Sequence, residues 1–267
     1  RIADGRLDAR LDEPDPGLSD EPAELARAIN AMAESLERSR GLERQFLLSV
    51  SHDLRTPLTS IRGYAEALRD GAGLDPERSA EVILAEAGRL DRLVRDLLEL
   101  ARLDARQFAL EPLSVDLVEA TTDAVEAFGP RAADAGLALR SRGDGPIPVD
   151  LDVDRWAQVV GNLVENGLRY ARSSVEVSVE QDEANVVARV VDDGPGIAPE
   201  DLPHVFERLY VAQHRPADRE SGSGLGLAIV RELVEAMDGT VSAETTVPSG
   251  TAMVVRLPRS PASGALD

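Results

Sequence analysis

The stretch Glu81-Val82-Ile83-Leu84-Ala85-Glu86-Ala87-Gly88-Arg89-Leu90-Asp91-Arg92-Leu93-Val94-Arg95-Asp96-Leu97-Leu98-Glu99-Leu100-Ala101 repeats its apolar residues at alternating intervals of four and three. Ile83, Ala87, Leu90, Val94, Leu97 and Ala101 form a heptad seam, the pattern of helices that pack into a bundle or coiled coil. Upstream, Gly71, Gly73 and Pro76 interrupt the chain, and before them a second helical pattern runs from Asp20-Glu21-Pro22 to about Leu68. Two long helices joined by a short break predict a hairpin, and a hairpin with an open seam is expected to pair with a second copy into four helices. At residues 108–112 the pattern changes. Helical segments are predicted over about 114–134, 153–171 and 223–238, and β-branched runs at 175–179, 186–191, 240–243 and 253–257 read as strands. The expected whole is multidomain: an all-α hairpin forming a dimeric four-helix bundle, then an α+β sandwich with helices on one face of a mixed sheet.

Composition narrows the chemistry. The chain has 267 residues, 43% of them hydrophobic and 29% charged, which is ordinary for a folded protein. Its 49 acidic and 29 basic side chains, all of the latter arginine, give a net charge of -20, so a nucleic-acid partner is disfavoured and none is expected. There is no cysteine, which excludes disulfides, thiolate catalysis and Cys-built zinc sites. No apolar run reaches the roughly 18–20 residues of a membrane helix. Residues 198–221, rich in Pro, Gly and charge with little periodicity, read as a long loop, either a functional lid or a disordered segment.

The candidate reactive residue is His52. At about 100° per residue, Leu47, Val50, Leu54, Leu58, Ile61, Ala65 and Leu68 share one stripe, and His52 lies nearly opposite it, toward water. Asp53 adjoins it and can hold one ring nitrogen while the other acts as a nucleophile. Thr56 shares its face one turn on, and Pro57 is expected to kink the helix just beyond. His204 and His214 show no such company in the sequence and are read as ordinary surface residues.

Ser51-His52-Asp53-Leu54-Arg55-Thr56-Pro57-Leu58 closely resembles the H-box of sensor histidine kinases, whose histidine takes a phosphoryl group from ATP. Three further runs carry the resemblance. Asn162-Leu163-Val164-Glu165-Asn166-Gly167-Leu168-Arg169-Tyr170 places Asn162, Asn166 and Arg169 on one helix face and resembles the N-box. There the second asparagine, here Asn166, binds Mg²⁺, and Arg169 stands where lysine is usual. Asp192-Asp193-Gly194-Pro195-Gly196-Ile197 looks like the G1 box, in which Asp192 would read adenine. Gly222-Ser223-Gly224-Leu225-Gly226-Leu227 opens a helix as the G2 box does, a glycine-rich entry that offers backbone N–H groups to a triphosphate. Val205-Phe206-Glu207-Arg208-Leu209-Tyr210 resembles the F-box at the start of the ATP lid, with Leu209 and Val211 departing from the commoner Phe and Arg; Arg208 or Arg215 could add positive charge there.

The resemblance implies a domain plan: residues 1–40 as the end of a HAMP-like signalling module, 41–107 as the dimerisation and phosphotransfer hairpin, 108–258 as the ATP-binding domain, and 259–267 as a flexible tail. It implies ATP and Mg²⁺ as cofactors, a homodimer, and a response-regulator receiver domain as partner. A HAMP-like segment implies a membrane anchor upstream, with this portion cytoplasmic. The His52-Asp53-Leu54-Arg55-Thr56 pattern is similar to that of kinases that also dephosphorylate their regulator. Two rivals remain open. An ATPase or chaperone of the same superfamily would leave His52 unexplained and would want a water-activating glutamate where Asn162 stands. A scaffold binding nucleotide only structurally is separated by phosphoryl transfer alone.

Overall fold

The computed structural model describes residues 20–71, 75–104, 109–182, 184–208, 224–247 and 249–259. Gly222, Ser223, Leu209, Tyr210, Val211, His214 and Arg215 lie outside the described residues, as do the 1–19 segment and all of the expected tail beyond Arg259.

Two units are distinguished, divided between Ser60 and Ile61. The first unit holds most of α1 (Asp20–Arg69), a single helix that runs on through Pro57. Val50 and Leu54 of the expected stripe are half-buried, while Leu47 and Leu58 are exposed.

The second unit begins with the end of α1 and continues into α2 (Pro76–Asp104). Pro76 can occupy the first helical position because it has no N–H that needs a partner there, and Asp75 accepts the N–H of Glu77 at 3.0 Å. The predicted seam is only partly what the chain itself buries. Leu93, Leu100 and Leu103 are enclosed, Ile83, Leu90 and Leu97 are half-buried, and Ala87, Val94 and Ala101 face solvent.

The α/β part follows as β1 (Leu113–Asp116), α3 (Leu117–Glu126), α4 (Gly129–Asp134), β2 (Ala138–Gly143), β3 (Pro148–Leu151), α5 (Val153–Tyr170), β4 (Ser174–Gln181), β5 (Asn185–Asp192), a 3₁₀ turn (Leu202–His204), α6 (Gly226–Ala236), β6 (Thr240–Thr245) and β7 (Thr251–Pro258). The helix expected over 114–134 is therefore a strand and two helices. Asp116 ends the strand and caps α3, accepting from Val118 N–H at 3.0 Å and Ile147 N–H at 2.9 Å. Pro130 opens a fresh helix at α4 because it cannot donate to the turn before it. The other two predicted helices are α5 and α6, and the four predicted strands are β4 to β7. The short strands β1, β2 and β3 lie outside the β-branched runs that mark strands in the sequence.

The main sheet has the order β2-β4-β5-β7-β6. β2 runs parallel to β4 and every other pair is antiparallel, so the sheet is mixed. Helices α3, α5 and α6 cover one face. Val177, Val190, Met253 and Ala243 lie in one row across four strands, and the first three are buried against that helical layer. The single tryptophan, Trp156, is enclosed between α5 and α3, where its Nε1–H donates to Thr121 Oγ1 at 3.0 Å. Thr121 in turn donates to the Leu117 carbonyl, so the buried indole and hydroxyl leave no unpaired donor. α5 is capped by Asp152, which accepts from Arg155 N–H at 3.1 Å. These contacts fix the helix that carries Asn162 to Tyr170.

Candidate functional site

Asp192 is buried because of the pleat. In β5 the inward alternation runs Val186, Ala188, Val190, Asp192, so the strand aims the last carboxylate at the helical side. Its Oδ1 accepts from Gly194 N–H at 2.8 Å. Burial raises its pKa above the ordinary aspartate value, against the lowering pull of hydrogen bonds from Gly194 and from Thr251, its partner across β5 and β7. Its neighbour Asp193 has another job. The Asp193 carboxylate accepts from the backbone N–H of Arg172 at 2.8 Å, Ser173 at 3.0 Å and Ser174 at 3.2 Å, and from the Ser173 hydroxyl. Those bonds, the Ser173 hydroxyl first, hold its pKa well below the usual range. They pin the segment between α5 and β4.

The loop after β5 folds back on the end of α5. A Cβ at Gly194 would stand 2.6 Å from the Tyr170 carbonyl and 2.7 Å from Asp192 Oδ1, so only glycine fits. Gly196, at φ +80°, adjoins Gly250 in the β6–β7 turn. Ile197 is half-buried beyond it.

On α5, Asn162, Asn166, Arg169 and Tyr170 are half-buried along one side, while Leu163, Val164, Gly167 and Leu168 pack into the core. Gly226, the first residue of α6, would place a Cβ 3.4 Å from Asn162 Oδ1, so the start of α6 lies against that asparagine. Gly224 adopts φ +69°, Leu225 is fully buried, and Leu227 is half-buried in the first turn. Tyr170, Asp192 and Gly194 thus meet where the β5 loop reaches the end of α5, with Gly196 beside Gly250, and Asn162 meets Gly226 where α6 begins against the same helix.

Phe206 is buried beyond the 3₁₀ turn, and Arg208 reaches α6, where its Nη2 donates to Glu232 Oε1 at 3.0 Å. The solitary reading of His204 is corrected, since its Nδ1 lies 2.7 Å from Glu207 Oε1, three residues on. A histidine and a glutamate at that spacing in a turn meet on one side.

On α1, His52 keeps 57% of its side chain exposed, and its Nδ1 lies 3.5 Å from Asp53 Oδ1. A carboxylate beside Nδ1 favours the proton there and leaves the Nε2 lone pair available. Thr56 Oγ1 donates to the His52 carbonyl at 3.2 Å, the ordinary helical back-bond, and remains exposed.

Two family models match the chain. The phospho-acceptor domain of histidine kinases covers residues 42–106, and the ATPase domain shared by histidine kinases, DNA gyrase B and HSP90 covers residues 151–261. The chain belongs to the sensor histidine kinases of two-component systems. It is 36% identical over 245 residues to the signal transduction histidine-protein kinase BaeS of Escherichia coli, covering 91% of this chain and 52% of BaeS. It is 36% identical over 283 residues to AfsQ2 of Streptomyces coelicolor, covering 98% of this chain and 51% of AfsQ2. The chain therefore spans about half the length of these curated relatives. Among solved structures, the Acinetobacter baumannii histidine kinase AdeS superposes with a TM-score of 0.66 at 27% identity, over 79% of this chain and 98% of that one. The helical region followed by an α/β domain with a mixed five-stranded sheet is the architecture of these kinases.

Within this sensor kinase the sequence left two residues of the junction unassigned. Thr251 is marked only by starting a strand after Gly250. Glu165 sits inside the quoted Asn162–Tyr170 run, and of its ion partners only Arg169, four residues on, is visible in the spacing, whereas Arg92 and Arg131 come from distant parts of the chain.

Proposed function

We propose that this chain is an autophosphorylating kinase core in which the γ-phosphoryl group of ATP is transferred to His52 and then to an aspartate of a response-regulator receiver domain. The observation that carries this reading is the pairing of two separate features. One is an exposed imidazole with a carboxylate at Nδ1. The other is a junction built around the buried acceptor Asp192, closed by glycines no side chain could replace.

The residues suit the nucleotide. Asp192 would accept a hydrogen bond from the adenine amino group, and Gly194 and Gly196 would let the base lie close to the backbone. The glycine-rich entry to α6, including Gly222 to Leu227, would present N–H groups to the phosphates. Asn166, with Asn162 beside it, offers hard amide oxygens of the kind that suit Mg²⁺, and bound Mg²⁺ would neutralise phosphate charge. Arg169 would pair with phosphate oxygens, and Tyr170, Ile197, Phe206, Leu225 and Arg208 would wall the pocket and anchor the lid. In the transfer, the His52 Nε2 lone pair forms the N–P bond as the β–γ bridging bond breaks and ADP leaves, while Asp53 holds the Nδ1 proton.

The matched phospho-acceptor domain and the exposed apolar residues of α1 and α2 support a homodimer through the hairpin. No helix among the described residues is long and apolar enough to cross a membrane. The HAMP-like run from Asp20 to Ala33 supports a membrane-anchored full-length protein, with this portion cytoplasmic.

With γ-labelled ATP the chain should acquire acid-labile, alkali-stable label, and His52→Gln should acquire none while still binding nucleotide. Undiminished label in that variant would end the reading. We also infer a phosphatase step that uses Thr56. Its hydroxyl donates to the His52 carbonyl but retains lone pairs to orient a water toward a docked phosphoaspartate. Thr56→Ala should label and transfer normally yet remove phosphate from the regulator more slowly; equal rates would reduce Thr56 to its back-bond.

A further inference from the structure

Glu165 lies on α5 between Asn162 and Asn166, and its Oε1 is the meeting point of three arginines. Arg131 of α4 stands at 2.9 Å, Arg92 of α2 at 3.4 Å, and Arg169, one turn along α5, at 3.9 Å. Glu165 and Arg169 are about three-quarters buried, whereas Arg92 and Arg131 are half exposed. A second ion pair, Glu99 of α2 with Arg155 of α5 at 2.7 Å, fastens the same two helices seven residues further along α2. In a chain with a net charge of -20, three guanidiniums around one carboxylate make a local excess of positive charge.

We propose that Glu165 is a positioning residue through which α2 controls nucleotide binding, with Arg92 as the group that switches its effect. The inference rests on the nucleotide reading of the Asn162–Tyr170 face and goes beyond it. A carboxylate at the edge of a phosphate site repels the triphosphate and competes with it for Arg169. With α2 seated, Arg131 and Arg92 hold Glu165 at 2.9 and 3.4 Å and leave Arg169 the longest of the three contacts, at 3.9 Å, so that the phosphates can draw Arg169 away. When α2 leaves, Arg131 alone remains to share Glu165 with Arg169, and Glu165 holds Arg169 more tightly. Seating of α2 and binding of ATP therefore favour one another, and by linkage the coupling works equally in both directions. Arg92 touches Glu165 and acts on the nucleotide only through it.

The test is a double-mutant cycle on the full chain, read as the Kd of a non-hydrolysable fluorescent ATP analogue with Mg²⁺. Arg92→Ala should weaken binding about fivefold or more, the lower end of ordinary coupling between sites. Arg92→Lys, which keeps the charge, should restore most of the affinity. Glu165→Gln should bind at least as tightly as wild type, and adding Arg92→Ala to it should change nothing, because no carboxylate remains to be cancelled. An equal loss from Arg92→Ala in both backgrounds, or no loss in wild type, would overturn the proposal while leaving the nucleotide site intact. A wild-type chain that binds no analogue would overturn the nucleotide reading and this inference together.

Discussion

In the sheet domain Val177, Val254, Leu233 and Val164 have no access to water, whereas on α1 and α2 Leu47, Leu48, Leu58, Leu84 and Leu98 each keep more than half of their surface exposed. The two regions carry a similar share of apolar residues but bury it differently. The sheet domain brings strands and helices from distant parts of the chain onto one core and closes it without help. The helices present apolar rows that a single chain leaves open, and each such residue gives up roughly 1.5–3 kcal/mol by staying wet. The chemistry divides along the same line. The proposed phosphoacceptor His52 is in water, where a receiver could reach it, and the proposed adenine acceptor Asp192 is buried, where it can discriminate.

The contrast is broken most severely by polar substitution on α2. Val94 and Leu98 are exposed, so Val94→Glu/Leu98→Glu should cost the isolated chain little while abolishing self-association. Sedimentation should show a dimer for wild type and a monomer for the variant, with nucleotide affinity retained by the sheet domain. A variant that stays dimeric would place the interface elsewhere.

A smaller effect is expected inside the pocket. Asp192→Asn sets an amide N–H₂ against the N–H donors of Gly194 and Thr251 and offers adenine a mixed group in place of an acceptor. A mismatched buried polar contact costs about 1–3 kcal/mol, so ATP affinity should fall about fivefold or more by calorimetry. Unchanged affinity would mean that adenine binds elsewhere.

What the sequence reveals follows the same division between local and distant determinants. Helices α1, α2, α5 and α6 are legible because their periodicity and their breaks, such as Pro76 and the glycines before α6, are contained in the segments themselves. Strand β5 is legible, and its alternation already points Asp192 inward. Residues 114–134 read as one helix because a four-residue strand ending in Asp116 has too few side chains to show a period, and its partner β3 lies over thirty residues away. Strand β2 carries Arg140 and Arg142 at a sheet edge, so it lacks an apolar signature. The seam on α2 was placed by spacing, yet Leu93 and Leu100, outside that seam, are the enclosed residues, because what a helix buries depends on what it meets. For the site, motif residues were visible in the sequence, while the Glu165 cluster was not, since Arg92 and Arg131 reach it from 73 and 34 residues away.

The smallest and sharpest test separates two adjacent aspartates. Asp192 and Asp193 are interchangeable in composition, but the pleat turns the first into the helical layer and leaves the second to gather N–H groups from residues 172–174. Asp193→Ala should therefore spare nucleotide affinity and lower stability, whereas Asp192→Asn loses nucleotide affinity. The pH dependence gives the sign. Asp193 has a folded pKa depressed below its unfolded value, so its contribution is fully present above the ordinary aspartate pKa of about 3.9 and is lost as pH falls toward the folded value. In urea unfolding, wild type should exceed Asp193→Ala by a constant margin from pH 7 to pH 5, and the margin should shrink below about pH 4. The protonated carboxyl can no longer hold three backbone donors as strongly, so both proteins then begin the α5–β4 turn with the same deficit. A margin that stays level into acid would show that Asp193 acts by filling space, and a loss of ATP affinity in Asp193→Ala would show that the turn it holds is part of the pocket.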